Sequence, residues 1–253
     1  MFKFICDEAG AKTNKDKEHQ FGLVSGFILT DNYKEKKLIE KIKEIIEKYN
    51  LKELKKLHIS AINNKSKRES IQIEVLNVLN SLDIIWTYGC VKKEEHKFVN
   101  KKNRKKFGIP TLYEECLLIA FMNTVDYHKK YHEEDKIEII SDNIDIEIIE
   151  SFSDLLEKVI NPKQKQEYLI NDGYDYENKK PKLKAKIVAE NNLQPIILPK
   201  YTFKSEKSYL TFIADILTYQ TFQVLKNKIF EGQVNSHKTM ENHICKYLFM
   251  YPN

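Results

Sequence analysis

The order of strand-like and helix-like segments constrains the fold of this 253-residue chain more than any other feature. Short runs of alternating or β-branched apolar residues are typical of strands. Between them lie longer runs in which apolar residues recur every three or four positions, a spacing typical of helices. Along the chain the pattern reads strand, strand, helices, strand, helix, strand, helix, strand and helix. This order predicts an α/β fold with a mixed sheet flanked by helices.

The same periodicities give approximate bounds for each element. The predicted strands cover 2–7, 20–31, 83–91, 136–142, 184–191 and 194–199. The predicted helices cover 33–50, 67–81, 110–130, 144–160, 206–230 and 238–249. Residues 161–183 are polar, and the stretch NDGYDYENKKPK within them predicts an exposed loop. Because no repeat or clear linker interrupts the chain, we expect one domain over 1–253, with helical additions at about 33–81 and 238–253.

Length and composition favour an ordinary globular protein. A chain of this size can bury enough apolar surface to fold without disulfides or structural metals, and its 42% hydrophobic content is typical of globular domains. The four cysteines are widely spaced and form no CxxC pair, which disfavours a zinc site. No apolar run is long enough to be a secretory signal or to cross a bilayer. We therefore expect a soluble cytoplasmic protein with no membrane partner.

The positive charge is concentrated in one segment, KKEEHKFVNKKNRKK at 92–106, within a predicted basic loop at 92–110. This segment holds eight basic and two acidic residues, whereas the whole chain has a net charge of +5. Such a segment can contact phosphates, which predicts nucleic acid as a partner. A solvated loop without a partner explains the same composition equally well. The candidate nucleic-acid-binding residues are Lys101, Lys102, Arg104, Lys105 and Lys106.

Two of the predicted strands end in an aspartate. Asp7 closes the first strand in FICDEAG, and Asp142 closes the strand KIEIISD. Side chains at strand ends point into an open crevice, so both acids could bind a metal at one edge of the sheet. Asp7 could equally be a turn residue, and Asp142 could cap the helix that follows it. Glu8 would join Asp7 only if the chain turned at 9–10, because neighbouring strand residues face opposite sides.

A third aspartate lies in the middle of an apolar helix. The stretch SYLTFIADILTYQTFQVL, 208–225, is apolar around most of its circumference, which is typical of a buried helix. A buried carboxylate without a partner costs several kcal/mol or becomes protonated. Asp215 therefore requires a compensating group. This group is a lysine or arginine, such as Lys207 or Lys226, a set of several hydrogen-bond donors, or a cation shared with Asp7 and Asp142.

Three converging carboxylates are suited to metal-dependent hydrolysis of phosphodiesters. Mg²⁺ and Mn²⁺ prefer hard oxygen ligands, which carboxylates supply. Two such ions, about 4 Å apart, can hold the attacking water and the leaving oxygen. We therefore expect Mg²⁺ or Mn²⁺ as the cofactor, with two ions at the site. His58, between Leu57 and Ile59, is by its own setting a hydrogen-bonded structural residue.

Four short motifs in a fixed order resemble a known family. FICDEAG, KLHIS, IISDN and SYLTFIADILTYQ are similar to the motifs of the domain-of-unknown-function 3800 family (DUF3800). That family opens with an apolar strand ending in Asp-Glu-Ser-Gly, and later carries Leu-His, a strand ending in Asp, and a Ser-led helix with Ala-Asp. The similarity runs from residue 2 to about 230. Ala9 departs from the family's Ser, and Thr211-Phe212 stands where Leu-Gln is common.

The resemblance implies a ribonuclease H-like fold and a metal-dependent nuclease that acts on DNA or RNA. At the matching positions it implies that His58 lines the site, where it orients a phosphate or shuttles a proton. The metal ligands and catalytic acids that it implies are Asp7, Glu8, Asp142 and Asp215.

Two other functions fit the same residues. With a degenerate site, the chain would be a nucleic-acid-binding or regulatory module that depends on the basic segments 101–106 and 179–186. Alternatively, it would be a subunit of a bacterial defence or mobile-element system that is active only with a protein partner. Binding without turnover distinguishes the first of these from a nuclease, and co-purification of a partner identifies the second.

Overall fold

The computed structural model describes a chain that divides into two compact units. The first unit comprises Met1–Phe152 and Pro199–Asn253, and the second comprises Ser153–Leu198. In the described part of the chain, every helix is too short or too polar to span a bilayer. The described residues are 2–11, 21–53, 57–93, 96, 110–131, 136–160, 165–175, 180–190 and 198–226.

Seven strands and five α-helices lie within these residues. The strands are β1 (Phe2–Ala9), β2 (Phe21–Leu29), β3 (Ile85–Lys92), β4 (Lys136–Ser141), β5 (Lys165–Asp175), β6 (Lys180–Glu190) and β7 (Lys200–Ser205). The helices are α1 (Asn32–Lys48), α2 (Lys65–Ser81), α3 (Leu112–Tyr131), α4 (Ile146–Ile160) and α5 (Tyr209–Lys226). Two short 3₁₀ turns, Leu51–Glu53 and Ile59–Ala61, join α1 to α2.

The first unit is built on a five-stranded mixed sheet with the order β3-β2-β1-β4-β7. Strand β1 pairs antiparallel with β2 and parallel with β4, and β4 pairs parallel with β7. The parallel pairing of β1 with β4 brings their carboxyl ends to the same edge of the sheet. The predicted α/β fold, a mixed sheet flanked by helices, is confirmed.

Helices α1, α2 and α5 form one hydrophobic core with the sheet. Residue Ile5 of β1 and Phe27 of β2 belong to this core, and Phe21 stacks on Phe222 of α5 with ring centroids 4.6 Å apart. Helix α5 is buried around nearly its whole circumference, as its apolar sequence predicts. The buried residues of α1 are those of its predicted apolar stripe: Leu38, Ile42, Ile45 and Ile46.

Helix α3 packs very closely against the sheet. A Cβ atom placed on Gly89 of β3 would lie 2.0 Å from the carbonyl oxygen of Cys116 and 2.7 Å from the backbone nitrogen of Ala120. The helix backbone therefore lies directly against the strand at a position that accepts only glycine. Thr111 and Glu114 form a capping box at the start of α3, in which each side chain accepts a bond from the other residue's backbone N–H.

Two strands in the later part of the chain differ from what the sequence predicts. The predicted exposed loop within 161–183 instead contains β5 and the start of β6, which pair antiparallel from Lys165 with Glu190 to Asp175 with Lys180. Most of the predicted strand at 194–199 lies outside the described residues, and β7, which the sequence did not predict, begins at Lys200. The sequence did not predict β5 and β7, because they are polar and are stabilised by pairing with strands elsewhere in the chain.

Several predictions fall on residues outside the described ranges. These are the helical addition at 238–253 and most of the basic loop at 92–110. The single domain over 1–253 stays a prediction. The candidate nucleic-acid-binding residues that lie outside the described residues are Lys101, Lys102, Arg104, Lys105 and Lys106.

Candidate metal centre

Strand β1 carries two acids into the edge of the sheet. It continues through Asp7 and Glu8 to Ala9, so Asp7 does not close the strand as the sequence predicts. The chain bends at Gly10, whose φ of 66° favours glycine. Because strand residues two apart share a face, Asp7 lies on the same face as Ile5, which packs in the core with α5. Asp7 therefore faces α5.

A buried polar seam attaches α5 to β1 and β2. The Thr218 hydroxyl donates to the carbonyl oxygen of Ser25 at 3.1 Å and to that of Asp7 at 3.4 Å. The hydroxyls of Ser25 and Thr221 lie 3.3 Å apart. Since Ser25 is the β2 residue opposite Asp7, these bonds tie the helix to the strand at the level of that acid. Thr218 lies less than one helical turn from Asp215, and Thr221 lies less than two turns from it.

Asp215 is buried, with 7% of its surface exposed, and has two protein donors. Its Oδ1 lies 3.1 Å from Nε2 of His58, and its Oδ2 accepts the backbone N–H of Ile59 at 2.5 Å. Neither of the lysines that the sequence suggested as partners is needed. The burial of Asp215 by itself therefore does not require a bound cation.

The other side of the His58 ring is also held. The backbone N–H of Ser60 donates to Nδ1 at 3.2 Å, and the Ser60 hydroxyl lies 2.8 Å from the same atom. Because Nδ1 accepts a bond from a backbone N–H, we infer that the neutral ring carries its proton on Nε2. That proton points at Asp215, so His58 fixes the orientation of the carboxylate.

Asp7, His58 and Asp215 converge on one point. Each carries an atom of a type that binds metals, and these atoms lie within 4.8 Å of one another. Because Nε2 of His58 is bonded to Asp215, the two carboxylates are the ligands open to a metal. Burial raises the pKa of the Asp7 carboxyl well above its ordinary value, and the charges of Glu8 and Asp215 raise it further. The backbone N–H of Glu8 opposes this shift. A divalent cation would relieve the repulsion at Asp7, so the residues present fit a metal ion.

A cleft of about 340 Å³ opens over these residues. All five residues that the sequence singles out as catalytic border it, although only three belong to the convergent group. The lining consists of Asp7, Glu8, Ala9, His58, Ile59, Ser60, Asp142, Asn143, Lys207, Asp215, Thr218 and Tyr219.

Asp142 borders the cleft from the end of β4. The hydroxyl of Ser205 donates to the carbonyl oxygen of Asp142 at 3.4 Å, which ties this strand end to β7. Helix α4 begins several residues later, and its first N–H groups bond to the carbonyl oxygen of Asp145, so Asp142 does not cap it. Asp142 adds to the charges that raise the pKa of Asp7.

Glu8 borders the cleft from the other face of β1. By strand alternation it lies on the side away from Asp7, toward α3. Burial raises the pKa of Tyr113 on α3, and the charges of Cys6, Glu8 and Asp7 raise it further. Glu8 therefore lines the site without joining the convergent group.

Sequence reasoning assigned no functional role to several residues that border the cleft, among them Ser60, Tyr219 and Lys207. Ser60 follows His58 by two positions, and Tyr219 follows Asp215 by four, which places it on the same face of α5. Lys207 was considered only as a partner for Asp215. Within the described part of the chain it forms no ion pair, so it contributes positive charge to a cleft otherwise rich in acids.

The fold and the cleft together define an α/β protein with a candidate metal centre at the edge of its sheet. Comparisons of the chain with models of known protein families, with curated proteins and with solved structures give no match. The function therefore has to be inferred from the geometry of the cleft.

Proposed function

We propose that this chain is a divalent-metal-dependent nuclease that hydrolyses phosphodiester bonds in DNA or RNA. The observation that carries the proposal is the convergence of Asp7, His58 and Asp215 within 4.8 Å at a cleft. The arrangement also supports a ribonuclease H-like fold, because β1, the end of β4 and a helix packed on the sheet each bring an acid to one edge. The resemblance to DUF3800 stays a prediction that agrees with this arrangement.

The carboxylates of Asp7 and Asp215 would hold Mg²⁺ or Mn²⁺, and Glu8 and Asp142 border the same cleft, where they would serve a second ion. Bound ions would supply Lewis-acid chemistry to the phosphodiester. Oxygen donors of this kind suit these two cations better than softer metals.

His58 acts in this proposal as a positioning residue. A neutral ring with its proton on Nε2 donates to Asp215 and has no lone pair on that nitrogen to offer a metal. Ser60 holds the ring, the ring holds one oxygen of Asp215, and the backbone N–H of Ile59 holds the other. Such supporting bonds keep a carboxylate in the orientation that metal binding requires.

Lys207 gives the acidic cleft a cationic contact for the substrate. Lys207 precedes α5 and borders the cleft, as Asp142 does. Two residues before it, Ser205 is hydrogen-bonded to the carbonyl oxygen of Asp142. An ammonium group can contact a phosphate oxygen directly, which offsets part of the repulsion between the substrate and the carboxylates.

The test is cleavage of labelled DNA and RNA oligonucleotides with Mg²⁺, with Mn²⁺ and with EDTA. We expect cleavage only with metal, and a loss of more than about tenfold in Asp215→Asn. The asparagine oxygen can still accept the Ile59 N–H, so the fold should survive, which circular dichroism checks. Asp154→Asn, at an exposed position on α4, is the matched control.

Cleavage by Asp215→Asn at the rate of the unmodified chain would contradict the proposal. Metal-independent binding without any turnover would support the alternative of a degenerate nucleic-acid-binding module. Activity that requires a co-purified protein would support the defence or mobile-element subunit.

A further inference from the structure

One side of the cleft is bordered by an aromatic ring that carries a guanidinium group. Tyr219 of α5 lines the cleft, and Cζ of Arg68 on α2 lies 5.7 Å from the centroid of its ring. Tyr219 follows Asp215 by four residues, so its ring borders the cleft beside the metal centre. The ring therefore borders the cleft where the part of a substrate next to the reacting phosphate would be held, and Arg68 lies over this ring without itself lining the cleft.

Arg68 has unused capacity for an anion. It is half-buried, yet within the described residues it forms no ion pair. By contrast Lys3, which is also half-buried, donates to both carboxylate oxygens of Glu35. A guanidinium has five N–H donors, and contact with a ring face uses none of them. These donors suit a phosphate, which guanidinium groups bind in a bidentate manner.

Because the cleft is rich in acids, an uncharged contact with the substrate avoids electrostatic repulsion. Asp7 and Asp215 repel phosphates when no metal is bound, whereas a tyrosine ring can stack on any base. A base within a duplex is already stacked on its neighbours, but a base in a single strand is free to stack on a side chain. The combination of ring and guanidinium therefore favours single strands.

We propose that Tyr219 and Arg68 form a subsite that takes one unpaired base and the adjoining phosphate of a single-stranded nucleic acid. This inference rests on the proposed nuclease function. The simpler explanation is that the pair only packs α2 against α5, a role that cation–π contacts often have. That role predicts a loss of stability without a loss of binding.

The experiment measures the binding of labelled single-stranded and duplex oligonucleotides, DNA and RNA, by fluorescence anisotropy in EDTA, where no metal-dependent cleavage occurs. We expect tighter binding of single strands, and about tenfold weaker binding in Tyr219→Leu. Tyr219→Phe keeps the ring and should bind within about twofold of the unmodified chain. Arg68→Gln should weaken binding and reduce the slope of log K against log salt by about 1.

The chain offers a matched control. Nζ of Lys43 lies 5.7 Å from the ring centroid of Tyr209, but Tyr209 does not line the cleft. Lys43→Gln and Tyr209→Leu should therefore leave oligonucleotide affinity unchanged. Melting temperatures of all variants separate a loss of binding from a loss of stability.

Unchanged affinity in Tyr219→Leu and Arg68→Gln, or tighter binding of duplex than of single strands, would overturn the subsite. If the unmodified chain still cleaved nucleic acid with metal, the nuclease function would stand without the subsite. A chain that neither binds nor cleaves any of the oligonucleotides would overturn both proposals.

Discussion

Replacing Asp7 by asparagine should stabilise the metal-free protein. Asp7 and Asp215 present oxygens within 4.8 Å of each other, and burial together with Glu8 and Asp215 raises the pKa of the Asp7 carboxyl. Asp215 already has His58 and the Ile59 N–H as donors, so the charge of Asp7 is the less well compensated of the two. An asparagine removes that charge at nearly constant volume.

The size of the effect follows from the distance. Two unit charges no more than 4.8 Å apart repel by at least about 3.5 kcal/mol at an effective dielectric constant of about 20. Partial protonation relieves some of this repulsion in the unmodified protein, so we expect Asp7→Asn to raise the free energy of unfolding by about 1–3 kcal/mol. At roughly 2–4 °C per kcal/mol for a domain of this size, the melting temperature should rise by about 3–10 °C.

The assay is thermal unfolding followed by circular dichroism, in EDTA and then in excess MgCl₂ or MnCl₂. Metal binding to the folded state should stabilise the unmodified chain, by about 2.7 kcal/mol at a hundredfold excess over the dissociation constant. Metal should stabilise Asp7→Asn much less. The difference between the two melting temperatures should therefore become smaller with metal, or change sign. Asp154→Asn, which alters an exposed acid, should respond to metal as the unmodified chain does.

Two outcomes would refute this reasoning. A lower melting temperature for Asp7→Asn in EDTA would show that the carboxylate is well compensated without metal. Equal stabilisation of both proteins by MgCl₂ and MnCl₂ would show that Asp7 is no ligand.

Two further predictions concern the contacts that position the site. Thr218→Val removes the hydroxyl that donates to the carbonyl oxygens of Ser25 and Asp7, so it should cost about 1–2 kcal/mol of stability. It should also weaken metal affinity by about tenfold or more, which titration calorimetry with MnCl₂ would measure. Unchanged affinity would show that these hydrogen bonds do not support the metal site. Gly89→Ala places a methyl group against the backbone of α3 and should cost at least about 2 kcal/mol in urea unfolding. Gly22→Ala meets mainly the flexible side chain of Leu112 and should cost less, so an equal cost would contradict the assigned close approach of helix and strand.

Elements with strong local periodicity could be predicted from sequence. The apolar stripe of α1 and the all-round apolar surface of α5 place both helices correctly, because a helical period is a property of neighbouring residues. The strands β5 and β7 were missed, since their polar residues are held by pairing with partners elsewhere in the chain.

The candidate site was predictable to a similar extent. A lone acid in an apolar helix marks Asp215, and acids near the ends of strands mark Asp7 and Asp142. The resemblance implies that His58 lines the site, but the bonds from His58 and from the Ile59 N–H to Asp215 were not predictable, because they form only through tertiary packing. Nothing in the sequence pairs Arg68 with Tyr219, since two helices distant in the chain bring them together.

The order of these pieces along the chain has a consequence during protein synthesis. Asp7 is synthesised about two hundred residues before the helix that bears Asp215 and closes over it. A nascent or prematurely terminated polypeptide that lacks this helix lacks Asp215 and also the helix surface that covers Asp7. An unfinished copy therefore lacks the convergent group on which the proposed activity depends.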